Sequence, residues 1–443
     1  MGMGRGLVTY DEKTDRATIR PIRGVRGTVY VPGDKSISHR AAILGSIALG
    51  ITEVRGFLLA CDTMRTIECL RALGVKIEVG ESHDLVIYGR GLKGLIKPTK
   101  PLDVGNSGTT MRLLAGVLAG YDFATTLTGD ASIRRRPMDR IAVPLRLMGA
   151  TVSGRGERCF PPIIVRGGKL RSIEYRMPIA SAQVKSCILL AGLYAPGFTV
   201  VIEPAPSRDH TERMLGLFGA EVYKSGLRVA VRGPSELRAT TLRVPGDFSS
   251  AAFLIAAALL AEEGELTIRD VGVNPTRTGF LDIVREMGGQ VELRNEREVS
   301  GEPVADIVAR PSRLRGVTVK GEVVPRAIDE LPLVAVLGCF AEGETRIEGA
   351  SELRVKECDR IAALSSELPK LGAEVEELED GLVVRGGRPI RGGQVKSYGD
   401  HRMAMALTVA ALRGLSETRV EEAGCVRISF PGFFEALDSL VYA

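Results

Sequence analysis

A five-position pattern recurs along the chain: a large apolar residue, Gly, a small residue, any residue, then Val or Ile. It occurs at Leu73–Ile77, Met148–Val152, Phe218–Val222, Met287–Val291 and Leu371–Val375. Each copy closes a stretch with helical spacing of apolar residues and opens one with strand character. Gly suits the position just past a helix C-terminus, where a positive φ is required. The β-branched residue that follows starts a strand.

Upstream of each copy stands a polar cluster that opens an apolar helical run. These are Asp34-Lys35-Ser36, Asn106-Ser107-Gly108-Thr109, Ser181-Ala182-Gln183, Asp247-Phe248-Ser249-Ser250, Asp329-Glu330 and Asp400-His401-Arg402. Asp, Asn and Ser are favoured helix caps, so six clusters in step with five glycine signals predict six repeats of one unit. Each unit reads strand, helix, strand, helix, then two strands. In the first, Thr28 to Val31 is expected as a strand and Ser38 to Leu49 as a helix. Thr52 to Gly56 follows as a strand, Asp62 to Leu73 as the second helix, and Val75–Val79 with Asp84–Tyr88 as a hairpin. Asp380-Gly381 marks the corresponding hairpin of the fifth unit as a two-residue turn. The sixth unit is expected to run out at the C-terminus after a helix around Phe433 to Leu440.

Pro32-Gly33-Asp34 and Pro245-Gly246-Asp247 are near copies at the starts of units one and four. Domain crossings are placed there. The reading is an α/β protein with two domains of three βαβαββ repeats each: residues 33–245 continuous, and 1–32 plus 246–443 discontinuous. A length of 443 residues supports two cores.

Composition narrows the class. With 44% hydrophobic and 26% charged residues the chain is of globular type. The net charge of +5 comes with acids interleaved among the bases, which argues against a nucleic-acid stripe. The seven cysteines are scattered without a C-x-x-C pair, as in a reducing compartment. The four histidines have no metal-ligand spacing, so no metal is expected. The apolar run Ala251 to Ala261 is too short to cross a bilayer, and the N-terminus lacks a signal-peptide core. The expected location is the cytoplasm, away from membranes.

Six helix starts at corresponding places are candidate anion sites, because their N–H groups and dipoles attract negative charge. Fixed positive charge clusters beside them: Lys35 and Arg40, Arg112, Arg134-Arg135-Arg136, Lys185, Lys356 and Arg360, and Arg402. Guanidinium forks suit carboxylate and phosphate, which points to small phosphorylated acids. Asp329 and Glu357 stand among these charges and are the acid–base candidates; Asp247 and Asp400 read as caps. No Walker motif and no G-x-G-x-x-G after a strand is present.

Long ordered motifs then resemble a known family, the 5-enolpyruvylshikimate-3-phosphate synthases, over essentially the whole chain. They are Pro32–Arg40 (PGDKSISHR), Gly105–Arg112 (GNSGTTMR), Leu127–Pro137 (LTGDASIRRRP), Ser181-Ala182-Gln183, Arg354–Arg360 (RVKECDR) and Gly399–Met405 (GDHRMAM). The resemblance implies two domains of inverted-cup shape that close on substrates, acting without cofactor or metal. It implies transfer of the enolpyruvyl group of phosphoenolpyruvate to the 5-hydroxyl of shikimate 3-phosphate, with release of phosphate. That is an addition–elimination through a tetrahedral intermediate, on the shikimate pathway to chorismate and the aromatic amino acids.

By position, Lys35, Ser36, Arg40, Ser181, Ala182, Gln183, Asp329 and Lys356 would hold shikimate 3-phosphate. Lys35, Gly108, Arg136, Gln183, Arg360 and Arg402 would hold phosphoenolpyruvate. Residues 33–245 would thus supply the shikimate 3-phosphate side, and the other domain phosphoenolpyruvate contacts and the catalytic acids. Asp329 and Glu357 would move the protons, and Lys35 would stabilise charge near the attacking oxygen. A monomer is expected. Gly108 is the small residue that leaves room for the inhibitor glyphosate. Two departures stand out: Ile428 occupies the place of a common lysine near the C-terminus, with Arg427 beside it, and Ala182 replaces a common serine. The rival transferase acting on UDP-N-acetylglucosamine carries a catalytic cysteine where this chain has Ala131. A non-catalytic anion-binding module, the remaining alternative, leaves Asp329 and Glu357 unexplained.

Overall fold

The computed structural model describes residues 6–443, which fall into two compact units. One comprises Gly33–Pro245 with Glu298–Glu302; the other comprises the chain up to Pro32, Gly246–Arg297 and Pro303–Ala443. The chain leaves one unit for the other at the two Pro-Gly-Asp copies. Within the first unit the Asp34 N–H donates to the Pro245 carbonyl at 2.8 Å. Within the second, the Asp247 N–H donates to the Pro32 carbonyl at 2.8 Å. The repeated tripeptide therefore makes the same local closure twice.

Six sheets share one design among the described residues. A leading strand runs parallel to a second strand, which is antiparallel to the far strand of a hairpin. In the second repeat these are Leu102–Asp103, Thr125–Thr128 and the pair Phe160–Arg166 and Thr151–Arg155. The third uses Glu174–Arg176, Gly197–Ile202, Arg228–Gly233 and Val222–Ser225. The fifth uses Thr318–Val319, Glu344–Ile347, Leu382–Arg385 and Glu374–Glu377.

The remaining three sheets correct the expected strand assignments. The strand near Thr28 to Val31 exists as Gly27–Tyr30, but it pairs with Leu266–Gly272 and so leads the fourth repeat. The first repeat is led instead by Leu237–Arg238 and Thr241–Arg243, both parallel to Ala48–Arg55. Nor does the sixth repeat run out. Its leading strand Gln394–Lys396 and second strand Thr418–Glu421 are completed by the N-terminal hairpin, Val8–Asp11 with Arg16–Ile19. The C-terminal helix is shorter than expected, Phe433–Asp438. A parallel partner is not tied to its neighbour by a tight turn, so any segment arriving with the right direction and register can fill the place.

Each repeat carries an inner helix directly before its second strand. In the first unit these are Lys35–Ile47, Gly108–Leu118 and Ala182–Gly192; in the second, Phe248–Leu260, Leu331–Phe340 and His401–Ala411. Most of their residues are buried, polar ones of the first turns included, as in helices enclosed by protein. All thirteen residues of Phe248–Leu260 are buried, which is why that helix can be almost wholly Ala, Leu and Phe. Gly116 lets two inner helices of the first unit approach: a Cβ there would lie 2.3 Å from the Cys187 carbonyl oxygen.

The outer helices end at the recurrent glycines. Gly74, Gly149, Gly219, Gly288 and Gly372 all have positive φ, between 86° and 105°. The Leu378 N–H donates to the Gly381 carbonyl at 3.0 Å, so the two residues of this turn are Glu379-Asp380, one position earlier than expected. No helix among the described residues is long and apolar enough to cross a membrane.

Candidate active site

The polar clusters at the inner-helix starts act as caps in five of six cases. Asp34, Ser107, Ser181, Asp247 and Asp400 accept from backbone N–H groups of their own first turns. The fifth repeat is the exception, since Glu330 occupies the cap position without a capping bond from its side chain.

In the unit of residues 33–245, Lys35 begins the first inner helix and its Nζ donates to Asp62 Oδ2 at 3.1 Å. Asp62 sits at the start of the neighbouring outer helix, Cys61–Ala72, and was not singled out by the sequence. Arg40, one turn on, is buried and tightly held. Its Nε donates to Thr211 Oγ1 at 2.6 Å, Nη2 to Ser186 Oγ at 2.7 Å and Nη1 to the Ser36 carbonyl at 2.9 Å. Burial brings its pKa down to about 10, so it is a cation at neutral pH with little room to move.

The second and third repeats contribute linked groups. Arg112 Nη1 donates to Gln183 Oε1 at 2.6 Å, and Gln183 Nε2 donates to Thr109 Oγ1 at 2.9 Å. Arg136 Nη2 donates to Asn106 Oδ1 at 2.6 Å, and Asn106 in turn donates to Asp130. Gly108 lies between the two arginines: a Cβ there would be 2.7 Å from Arg112 Nη1 and 3.4 Å from Arg136 Nη1. Behind them a buried chain links His39 Nδ1, Thr66 Oγ1, Thr110 Oγ1 and Ser107 Oγ, each step 2.7 Å.

In the other unit, Arg360 is the hub. Its side chain is 1% exposed, yet it meets three carboxylates. Nε donates to Asp400 Oδ2 at 2.7 Å, and Nη2 donates to Glu357 Oε2 at 2.8 Å and Asp400 Oδ1 at 3.2 Å. Nη1 makes no hydrogen bond among the described residues and faces Asp329 Oδ1 at 3.7 Å. Burial alone lowers the pKa of Arg360, but Asp400 and Glu357 outweigh it and hold the group above the usual arginine value. Arg402 lies 3.4 Å from Asp329 Oδ2 through Nη2. Asp400 is therefore both a cap and the anchor of Arg360. It is sealed at 0% exposure, whereas Asp329 and Glu357 keep 12% and 17%. Lys356 is half-buried, and desolvation lowers its pKa while Asp329 pulls it back up.

Some expected groups are placed elsewhere. Lys185 is fully buried, paired with Glu203 at 2.9 Å and Glu212 at 2.7 Å, and belongs to the interior. Arg134 and Arg135 point to solvent, leaving Arg136 as the inward member of the triplet. Arg427 pairs with Glu12 on the N-terminal hairpin and sits 5.6 Å from the Tyr10 ring, at the surface. Arg354 braces the segment that carries Lys356 and Glu357, bonding Asp359 at 2.8 Å and the carbonyls of Leu378 and Glu379.

Residues 19–437 match the family model for EPSP synthase (3-phosphoshikimate 1-carboxyvinyltransferase). The chain belongs to the EPSP synthase family. A relative from Desulforudis audaxviator, a 3-phosphoshikimate 1-carboxyvinyltransferase, is 52% identical over 95% of this chain and 98% of its own length. The solved EPSP synthase from Acinetobacter baumannii superposes with a TM-score of 0.86 at 43% identity, covering 97% of this chain and 98% of the other. The enolpyruvyl transferase NikO from Streptomyces tendae shares the fold alone, with a TM-score of 0.77 at 19% identity over 96% and 97% of the two chains. As a member of the EPSP synthase family the chain is an enzyme, a transferase of the enolpyruvyl group to 3-phosphoshikimate in the shikimate pathway.

Proposed function

We propose that Lys35, Ser36, Arg40, Ser181, Ala182, Gln183, Asp329 and Lys356 hold shikimate 3-phosphate in this chain. Phosphoenolpyruvate is held by Lys35, Gly108, Arg136, Gln183, Arg360 and Arg402. The observation that favours this reading most is Arg360: two of its three nitrogens are fixed on carboxylates, while Nη1 has no hydrogen-bonded partner among the described residues. A buried donor of this kind costs stability unless an anion meets it, and a carboxylate or phosphate does so well.

The reaction asks for a proton on the methylene carbon of phosphoenolpyruvate while the 5-hydroxyl attacks C2. The tetrahedral adduct then loses phosphate and a methyl proton, restoring the double bond. Asp329 and Glu357 are the carboxylates that stand beside Arg360 and retain exposure, so they are the proposed proton carriers. Lys35 stabilises charge at the attacking oxygen, and the fixed arginines hold the developing phosphate charge without reorganising. Glyphosate, a small anionic inhibitor, is proposed to bind where Gly108 leaves space between Arg112 and Arg136.

The test mixes the protein with shikimate 3-phosphate and phosphoenolpyruvate, follows phosphate release and identifies the enol ether by NMR. Absence of release with both substrates, together with turnover of UDP-N-acetylglucosamine, overturns the reading. Glu357→Gln is expected to lower kcat by about 10²-fold or more with KM values changed little. Unchanged turnover removes Glu357 from the mechanism.

A further inference from the structure

The fourth repeat supplies none of the substrate contacts proposed above, yet its inner-helix start is joined to them by polar groups that the cap reading of Asp247 does not account for. Arg277, 3% exposed, lies 3.7 Å from Asp247 Oδ1 and donates through Nη2 to Ser249 Oγ at 2.7 Å. Ser249 donates to Glu330 Oε1. The same Glu330 oxygen faces Arg402 Nη1 at 3.8 Å, and that nitrogen also reaches the Asp329 carbonyl at 3.4 Å. Every member of this chain is buried.

We propose that Glu330, oriented by Ser249 and Arg277, is a positioning residue that sets where the Arg402 guanidinium stands for phosphoenolpyruvate. Glu330 occupies the cap position of its helix without using its carboxylate there, so that carboxylate is committed sideways. Arg402 otherwise has Asp329 as its carboxylate neighbour, 3.4 Å from Nη2. A second anion on Nη1 balances that pull and stops the guanidinium from collapsing onto Asp329. A fixed fork loses less on binding a planar anion than a mobile one. The inference rests on the proposed role of Arg402.

Two variants separate shape from charge. Glu330→Gln keeps an acceptor for Ser249 and removes the charge; Ser249→Ala keeps the charge and removes the hydroxyl that aims it. Phosphate release is measured with each substrate varied in turn. Loss of a charge-assisted contact is expected to raise KM for phosphoenolpyruvate about tenfold in Glu330→Gln and about threefold in Ser249→Ala. KM for shikimate 3-phosphate stays within about twofold and kcat falls by less than KM rises. A general loosening of the fold would move both KM values, so an equal rise in both overturns the proposal. So does an unchanged or lower KM for phosphoenolpyruvate, which would make Glu330 a competitor for Arg402. If Glu330→Gln fails to fold, Ser249→Ala, a single missing oxygen, decides alone. Arg402→Lys is the control: an unchanged KM for phosphoenolpyruvate there would refute the role of Arg402 and leave the geometry of Glu330 without a substrate to serve.

Discussion

Gly108 shows how a single missing methyl shapes a site. Its inner-helix start is capped by Ser107, so its backbone is fixed, and a Cβ would press on Arg112 Nη1 at 2.7 Å. Gly108→Ala is expected to raise the glyphosate inhibition constant by roughly ten- to a hundredfold, the range of a 1–3 kcal/mol overpacking penalty. Equal inhibition constants for the two proteins would refute the placement. His39 makes a different point. It is wholly buried, and desolvation keeps its pKa well below 6.5 with Lys35 and Arg40 adding to the effect. The unfolded chain takes up a proton below that value and the fold does not, so stability falls as pH drops below about 6.5 and is unaffected above it. His39→Gln is expected to flatten this acid-side slope by up to about 1.4 kcal/mol per pH unit, read from urea midpoints between pH 5 and 7. An identical slope in the variant would exclude the assignment. The sequence named His39 only as part of a motif, because burial is not written in the residue itself.

At the scale of the element, the repeat was legible because its signals are local. A cap acts on the turn that follows it, and a positive-φ glycine acts on the residue where it stands. The helix Thr211 belongs to, His210–Leu217, allows a clean test of this. Gly216 lies inside it and Gly219 just beyond it, and a Cβ would meet nothing within 4 Å at either place. Only the backbone differs, since Gly219 has φ +86°. Gly216→Ala is therefore expected to stabilise by about 0.5–1 kcal/mol, and Gly219→Ala to destabilise by about 1 kcal/mol, in urea unfolding. Shifts of the same sign would show that the glycine signal is not conformational. Strand ownership was not legible by such means. The strand Gly27–Tyr30 precedes the first inner helix in sequence but leads the sheet of the fourth repeat.

For the whole molecule, that exchange of strands is what makes each unit self-contained. The apolar core around Ile37 to Val244 and the core formed by Val8–Val31 with Phe248–Val441 share no residue. Residues 33–245 are accordingly expected to fold when expressed alone, with a single cooperative urea transition in circular dichroism. A fragment ending at residue 236 loses both strands that lead the first sheet and leaves the edge of Ala48–Arg55 unpaired, so its transition should shift to lower urea or vanish. Matching transitions for the two fragments would contradict the strand exchange. The isolated unit also gives up the His210–Glu302 pair, 2.7 Å apart and buried, which sets an upper limit on its stability.

By itself the sequence determined the six-fold repeat, the caps, the glycine stops and the basic residues gathered near the helix starts. Those are properties of neighbours a few positions apart, and the family motifs sit on the same short stretches. Only the tertiary structure decided which strand completes each sheet. It also decided that Lys185 is an interior ion pair, and that Arg360 is shared among Asp329, Glu357 and Asp400. Arg360 and Asp400 are 40 residues apart in the chain, and the pair Arg16–Glu421 spans 405. Their meeting depends on chain closure and on which charges lose their water, and no short stretch of sequence encodes either.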